Sequence, residues 1–150
     1  MRLSSLADYA VVMMSATARH CGGVARLNAT RLAEETGLPL PTVQKLVSRL
    51  SAAGLIETGR GAAGGFRLAR PAAAISLVDI VEAVEGPIAL TTCVDEGREC
   101  SVGNCRVRPH LQLVNDTVRG ALAGVSLASL NAAPAEVSAP RQANEAKVEA

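Results

Sequence analysis

Cys93, Cys100 and Cys105 are separated by six and four residues, too far apart to be neighbours on one helix and close enough for one loop to wrap them round a common centre. Thiolates are the usual ligands of iron–sulfur clusters and of zinc. The spacing is not the C-x-x-C pairing of common zinc modules. Four readings therefore stand side by side on the residues alone: a cluster, a Cys-rich zinc site, a thiol switch joining two of the cysteines, and unreactive loop thiols. Three thiolates leave one position, to be filled by Asp8, His110, another residue, a partner chain or a small molecule. Asp8 also suits the acidic start of a helix, and His110 the polar opening of one. Cys21 and His20 lie far from the loop in sequence. A small buried apolar residue and a partner for a helix C-terminus are their expected roles.

A second group of residues is suited to duplex DNA. Thr42, Gln44, Lys45, Ser48 and Arg49 fall on the polar side of a segment whose Val43, Leu46, Val47 and Leu50 form an apolar face. Gln can bond adenine and Arg guanine in pairs, while Lys and hydroxyls suit phosphates. Arg60 lies inside the glycine-rich stretch Gly59–Gly65 and Arg67 just after it, and Arg on a close-approaching loop is a common reader of a narrow minor groove. Alone, each cation would suit a solvated face equally well. Residues 1–70 hold nine Lys/Arg against four Asp/Glu and residues 71–150 six against ten, so an overall charge of +1 divides into +5 and −4. Tyr9 and Phe66 are the only aromatics, which leaves no stacking platform for single strands or RNA.

The elements that must position these groups follow from periodicity and caps. Ser5-x-x-Asp8 and the run Leu6 to Thr17 predict a helix over 5–20. Asn28 caps a second, Ala29 to Thr36, ended by Gly37, and Pro41 opens a third that ends before Gly54. Leu55-Ile56-Glu57 and Phe66-Arg67-Leu68 predict a hairpin, the wing after a helix-turn-helix. Ser76 caps Leu77 to Glu85, residues 91–108 form the cysteine loop, and Pro109 opens a helix over 109–130 with Leu111, Val114, Val118, Ala121, Leu122 and Val125 at helical steps. The expected fold is mainly α with a small β-wing: a winged helix-turn-helix over 1–70, the loop and a long C-terminal dimerisation helix over 71–130, and a polar, Ala/Pro-rich tail over 131–150 expected to be disordered. Such a long amphipathic helix suggests a homodimer.

The longest apolar run, Leu6–Ala18, contains Asp8 and is too short to cross a membrane, and it has no signal-peptide pattern. A cytoplasmic protein is expected, one whose cysteines are not structural disulfides. No Ser-His-Asp set, phosphate loop or paired carboxylates suggest an enzyme.

Longer stretches carry a resemblance. Met1-Arg2-Leu3-Ser4 with Asp8-Tyr9-Ala10, Leu32-Ala33-Glu34 through Gly37-Leu38-Pro39, Leu46-x-x-x-Leu50-x-x-x-Gly54-Leu55 and Arg60-Gly61-x-x-Gly64-Gly65-Phe66-Arg67-Leu68-Ala69 resemble the Rrf-two family of winged-helix transcriptional regulators, the IscR/NsrR-like proteins, over about residues 1–130. Gly37 to Val43, Val84 to Thr91 and the Cys93–Cys105 loop are most similar to its regulators of SUF cluster-assembly operons. The resemblance implies an iron–sulfur cluster, 2Fe-2S or 4Fe-4S, at Cys93, Cys100 and Cys105, and raises that reading above zinc. It implies Asp8, reaching from the other subunit, as fourth ligand in preference to His110, which lies farther after Cys105 than in His-ligated relatives. It further implies a repressor of a SUF operon. A nitric-oxide- or iron-sensing repressor of the same family, or a zinc-stapled DNA-binding scaffold, is the alternative.

Overall fold

Small and unbranched residues at helical spacing make α1 (Ser5–His20), whose Ala7, Ala10, Met13, Met14 and Ala16 are all fully buried. The computed structural model describes residues 3–20, 26–61, 64–95 and 101–132. Thr17, buried on the same face of α1, donates its hydroxyl to the Met13 carbonyl at 2.8 Å, so that hydroxyl is not stranded in the core. At the end of the helix His20 meets the Glu35 carboxylate at 2.5 Å. That bond, foremost, holds the Glu35 carboxyl below its ordinary range and ties α1 to α2 (Ala29–Thr36).

Around α1 pack α2, α3 (Leu40–Ala52) and α4 (Leu77–Glu85). Leu32, Val43, Leu46, Leu50, Ile75 and Ile80 have no exposed surface, and Phe66 adds the one aromatic ring of the core. α3 begins one residue earlier than the Pro41 start predicted from sequence, because the Pro39 carbonyl already accepts from Thr42 and Val43. The wing is a hairpin of β1 (Ile56–Gly59) and β2 (Gly65–Leu68), antiparallel, with Ile56 opposite Leu68 and Gly59 opposite Gly65. Leu27 forms an isolated bridge on the other edge of β2, exchanging hydrogen bonds with Phe66.

The single helix expected over 109–130 is two. α5 (Arg108–Ala123) stops where the backbone turns to pair with the chain before α4: Leu77 N donates to Val125 O at 2.8 Å and Leu127 N to Ile75 O at 2.7 Å. Ser126, bridged to Ser76, then caps the short α6 (Leu127–Leu130), and Leu127 is fully buried. A one-turn 3₁₀ segment, Ala72–Ala74, precedes α4 and was not anticipated. Most of the tail expected to be disordered, residues 133–150, lies outside the described residues.

Candidate nucleic-acid interface and cysteine loop

Two caps bound α2, and the second shapes its turn into α3. The Asn28 side chain accepts from Arg31 N at 2.7 Å, and Gly37, at φ 71°, closes α2 with its N–H on Ala33 O. A side chain at that left-handed position would strain the turn. α3 buries Val43, Leu46 and Leu50, which leaves Gln44, Lys45 and Ser48 exposed together on the opposite face with Thr42 half-buried beside them. No described carboxylate pairs with Lys45 or Arg60.

Two cations expected on this surface have other partners. Arg49, itself exposed, reaches to the end of α4, its guanidinium donating to the Val84 carbonyl at 2.5 Å. A charged donor at the last turn of α4 satisfies a helix-end carbonyl and favours the dipole, so Arg49 joins α3 to α4 in this structure. Arg67 donates from Nε and Nη2 to Glu57, its partner across the hairpin, at 3.1 and 2.9 Å. Its charge is neutralised there, which leaves Arg60 as the exposed cation at the start of the wing turn.

The cysteine loop starts from a small polar frame. Glu82 accepts two bonds from Arg119 of α5, at 2.8 and 2.9 Å, and one from Ile88 N at 3.2 Å. The Arg119 guanidinium holds the Glu82 carboxyl below its ordinary range. Asn115, 5% exposed, accepts from Leu90 N at 3.0 Å. Sequence reasoning missed this residue, although its signal was present: Leu111, Asn115, Val118 and Leu122 form the inward stripe of α5, in which Asn115 is the polar member. Val114, a member of the apolar stripe of the expected dimerisation helix, is 49% exposed, and Leu113 is 66% exposed.

Beyond the frame, Cys93 and Cys105 are free and half-buried, with Cys93 Sγ 3.1 Å from the Thr91 hydroxyl. Asn104 takes a left-handed φ of 51° just before Cys105. Cys100 and Cys21 lie outside the described residues. Among the described residues no three His, Cys, Asp or Glu side chains converge on a metal position. The two described thiols nonetheless fit the donor chemistry of a cluster or zinc: both are unbridged, partly accessible, and carried on one loop. Asp8 lies in the first turn of α1 on an exposed face with Tyr9 and Val12, and His110 is exposed in the first turn of α5.

A capped helix, a left-handed glycine turn, a second helix with a polar outer face and a two-stranded wing together define a winged helix-turn-helix DNA-binding module. The Rrf2 family model, described as "Iron-dependent Transcriptional regulator", matches residues 3–133, and the chain belongs to this family. The IscR regulator of Photorhabdus laumondii is 32% identical over 132 residues, 87% of this chain and 79% of that one. Among solved structures, CymR, the global cysteine regulator of B. subtilis, superposes with a TM-score of 0.71 at 26% identity over 87% of this chain and 96% of that one. IscR of T. potens does so at 0.70 and 25% identity over 93% and 94%. The chain is thus a transcriptional regulator and not an enzyme. No described helix is long and apolar enough to cross a membrane.

Proposed function

We propose that the chain is a cytoplasmic, homodimeric repressor whose DNA affinity depends on an iron–sulfur cluster, and that its target is a SUF cluster-assembly operon. The observation that supports this best is the pair of free thiols, Cys93 and Cys105, on a loop framed by Glu82, Asn115 and Arg119. Cys93, Cys100 and Cys105 would hold the group, with Asp8 of the partner subunit as fourth ligand. The exposure of Asp8 on an uncovered face with Tyr9 (38%) and Val12 (47%) supports a role between subunits. When bound, a cluster with one non-thiolate ligand supplies a redox- and reagent-sensitive tie between the thiolates.

The chain's own residues supply the rest. A change in loop shape reaches the Leu90–Asn115 bond first, then α5, then α4 through Arg119–Glu82, and α3 through Val84–Arg49. Each link joins the loop to the helix bearing Gln44, Lys45 and Ser48, the groups proposed for base edges and phosphates with Thr42. Arg60 is proposed for the minor groove. Arg49 and Arg67 would join them only by leaving Val84 and Glu57.

Protein purified anaerobically should be coloured and contain iron and acid-labile sulfide in stoichiometric amounts. Colourless protein with bound zinc would support the scaffold reading instead. The dimer face proposed is the exposed side of α5, where Val107, Val114 and Ala121 recur every seventh residue and Leu113 lies beyond. Val114→Asp should convert a dimer to a monomer by light scattering without lowering the helix content. A dimer that survives this change places the interface elsewhere.

A further inference from the structure

Gly59 and Gly65 face each other on the last rung of the wing before its turn, and the side chain that crosses this rung is Arg26. Leu27 is hydrogen-bonded to Phe66, which sets Arg26 beside β2. A Cβ built on Gly65 would strike the Leu27 carbonyl and come within 3.3 Å of Arg26 Cβ, and one built on Gly59 would fall on the Arg26 guanidinium itself. Arg26 therefore runs from β2 to β1 with its charged end over Gly59, next in sequence to Arg60.

The two glycines are required for different reasons. Gly65 has φ 134°, a backbone that side chains rarely adopt. Gly59 is not among the positive-φ residues, so alanine suits its backbone, and what its missing Cβ leaves room for is the arginine. Alternation along β1 puts Glu57 on the same face as Gly59, but the Glu57 carboxylate is bonded to Arg67. No described acid pairs with Arg26. The inner rung of the wing is thus charge-neutral, and the outer one carries a pre-positioned guanidinium with no acidic partner among the described residues.

We infer that Arg26, seated on Gly59, is a phosphate contact of the wing that holds the DNA backbone beside the groove addressed by Arg60. The inference rests on the wing docking on duplex DNA. A phosphate contact made by an arginine already held against backbone loses less side-chain freedom on binding than one made by a free chain.

The test uses the full chain, titrated by fluorescence anisotropy against a random duplex and an A·T-rich duplex at several salt concentrations. Arg26→Gln should weaken both duplexes severalfold and flatten the dependence of log K on log salt by about 0.9 per lost phosphate contact, about twice that for a dimer. Gly59→Ala keeps the charge but removes its seat, and should also weaken both. The double variant should be no weaker than Arg26→Gln alone, because the glycine acts through the arginine. Thermal melting of each variant close to the parent's keeps unfolding out of the comparison. Unchanged affinity and slope in Arg26→Gln, or losses that add in the double variant, would overturn the inference. Arg60→Ala separates the two levels: if it weakens the A·T-rich duplex while Arg26→Gln is silent, only the Arg26 contact fails. If both are silent, the docked wing fails with it.

Discussion

Leu46→Ala lowers the stability of the fold by about 2–5 kcal/mol, whereas Lys45→Ala beside it stays within about 0.5 kcal/mol of the parent. Leu46 has no exposed surface and packs at the centre of the core, so truncation removes buried methyl groups and leaves a cavity. Set against a total of about 5–15 kcal/mol for a domain, that loss shifts the denaturant midpoint strongly. Lys45 lies one residue away on the outer face, exposed and without a described carboxylate partner. Its removal should appear in DNA binding instead: affinity lowered alike for all sequences, and the salt dependence flattened by about one unit per neutralised phosphate. Chemical denaturation and duplex titration of the two variants check both halves. A destabilised Lys45→Ala, or a fully stable Leu46→Ala, contradicts the division of α3 into a packed and a reading face.

Substitution of Cys93, Cys100 or Cys105 by alanine should abolish the visible absorbance of anaerobically purified protein, and Cys21→Ala should leave it. The expectation is large because a loop with three thiolates has none to spare. The described part of that loop already joins Cys93 to the Asn115 frame through Thr91 and Leu90, and Cys105 to the start of α5, where its carbonyl accepts from Arg108 N at 3.3 Å. Losing one ligand therefore leaves the others where they were, with an incomplete set. A coloured Cys100→Ala protein would rule out the three-thiolate site. Asp8→Ala should retain part of the colour and lose it faster in air, since one oxygen ligand is replaceable by solvent.

The helical frame and the wing were legible because local chemistry determines them. Asn28, Gly37 and Ser76 act as the caps their types suggested, and Val43, Leu46 and Leu50 face inward at the spacing read from the chain. What stayed hidden depends on groups distant in sequence. Arg49 and Arg67 looked like readers since nothing nearby along the chain claims Arg49, and the pairing of Arg67 with Glu57 follows only from the hairpin register. The break after Ala123 arises from pairing with the chain before α4, some fifty residues earlier, and Gly124 and Ser126 alone could not announce it. The seat of Arg26 needs three segments at once: the approach to α2 and both strands.

The break after α5 also makes that helix a cantilever. It is held to the head from Asn115 onward, by that buried residue on Leu90, by Arg119 on Glu82 and by the Leu77–Val125 and Leu127–Ile75 bonds, while its first residue follows the cysteine loop. The arm from Arg108 to Asn115 is about 10 Å long at 1.5 Å per residue. A sideways displacement of about 3 Å at its loop end would therefore correspond to a tilt of roughly 16° about the clamp. In the proposed two-fold dimer both copies would tilt alike about the axis, and the angle between the two heads would change by up to double that amount. A continuous helix ending in a slack tether would have absorbed the same displacement in the tether. The short, hydrogen-bonded joint would make α5 a lever, with the thiol loop at the free end of the arm.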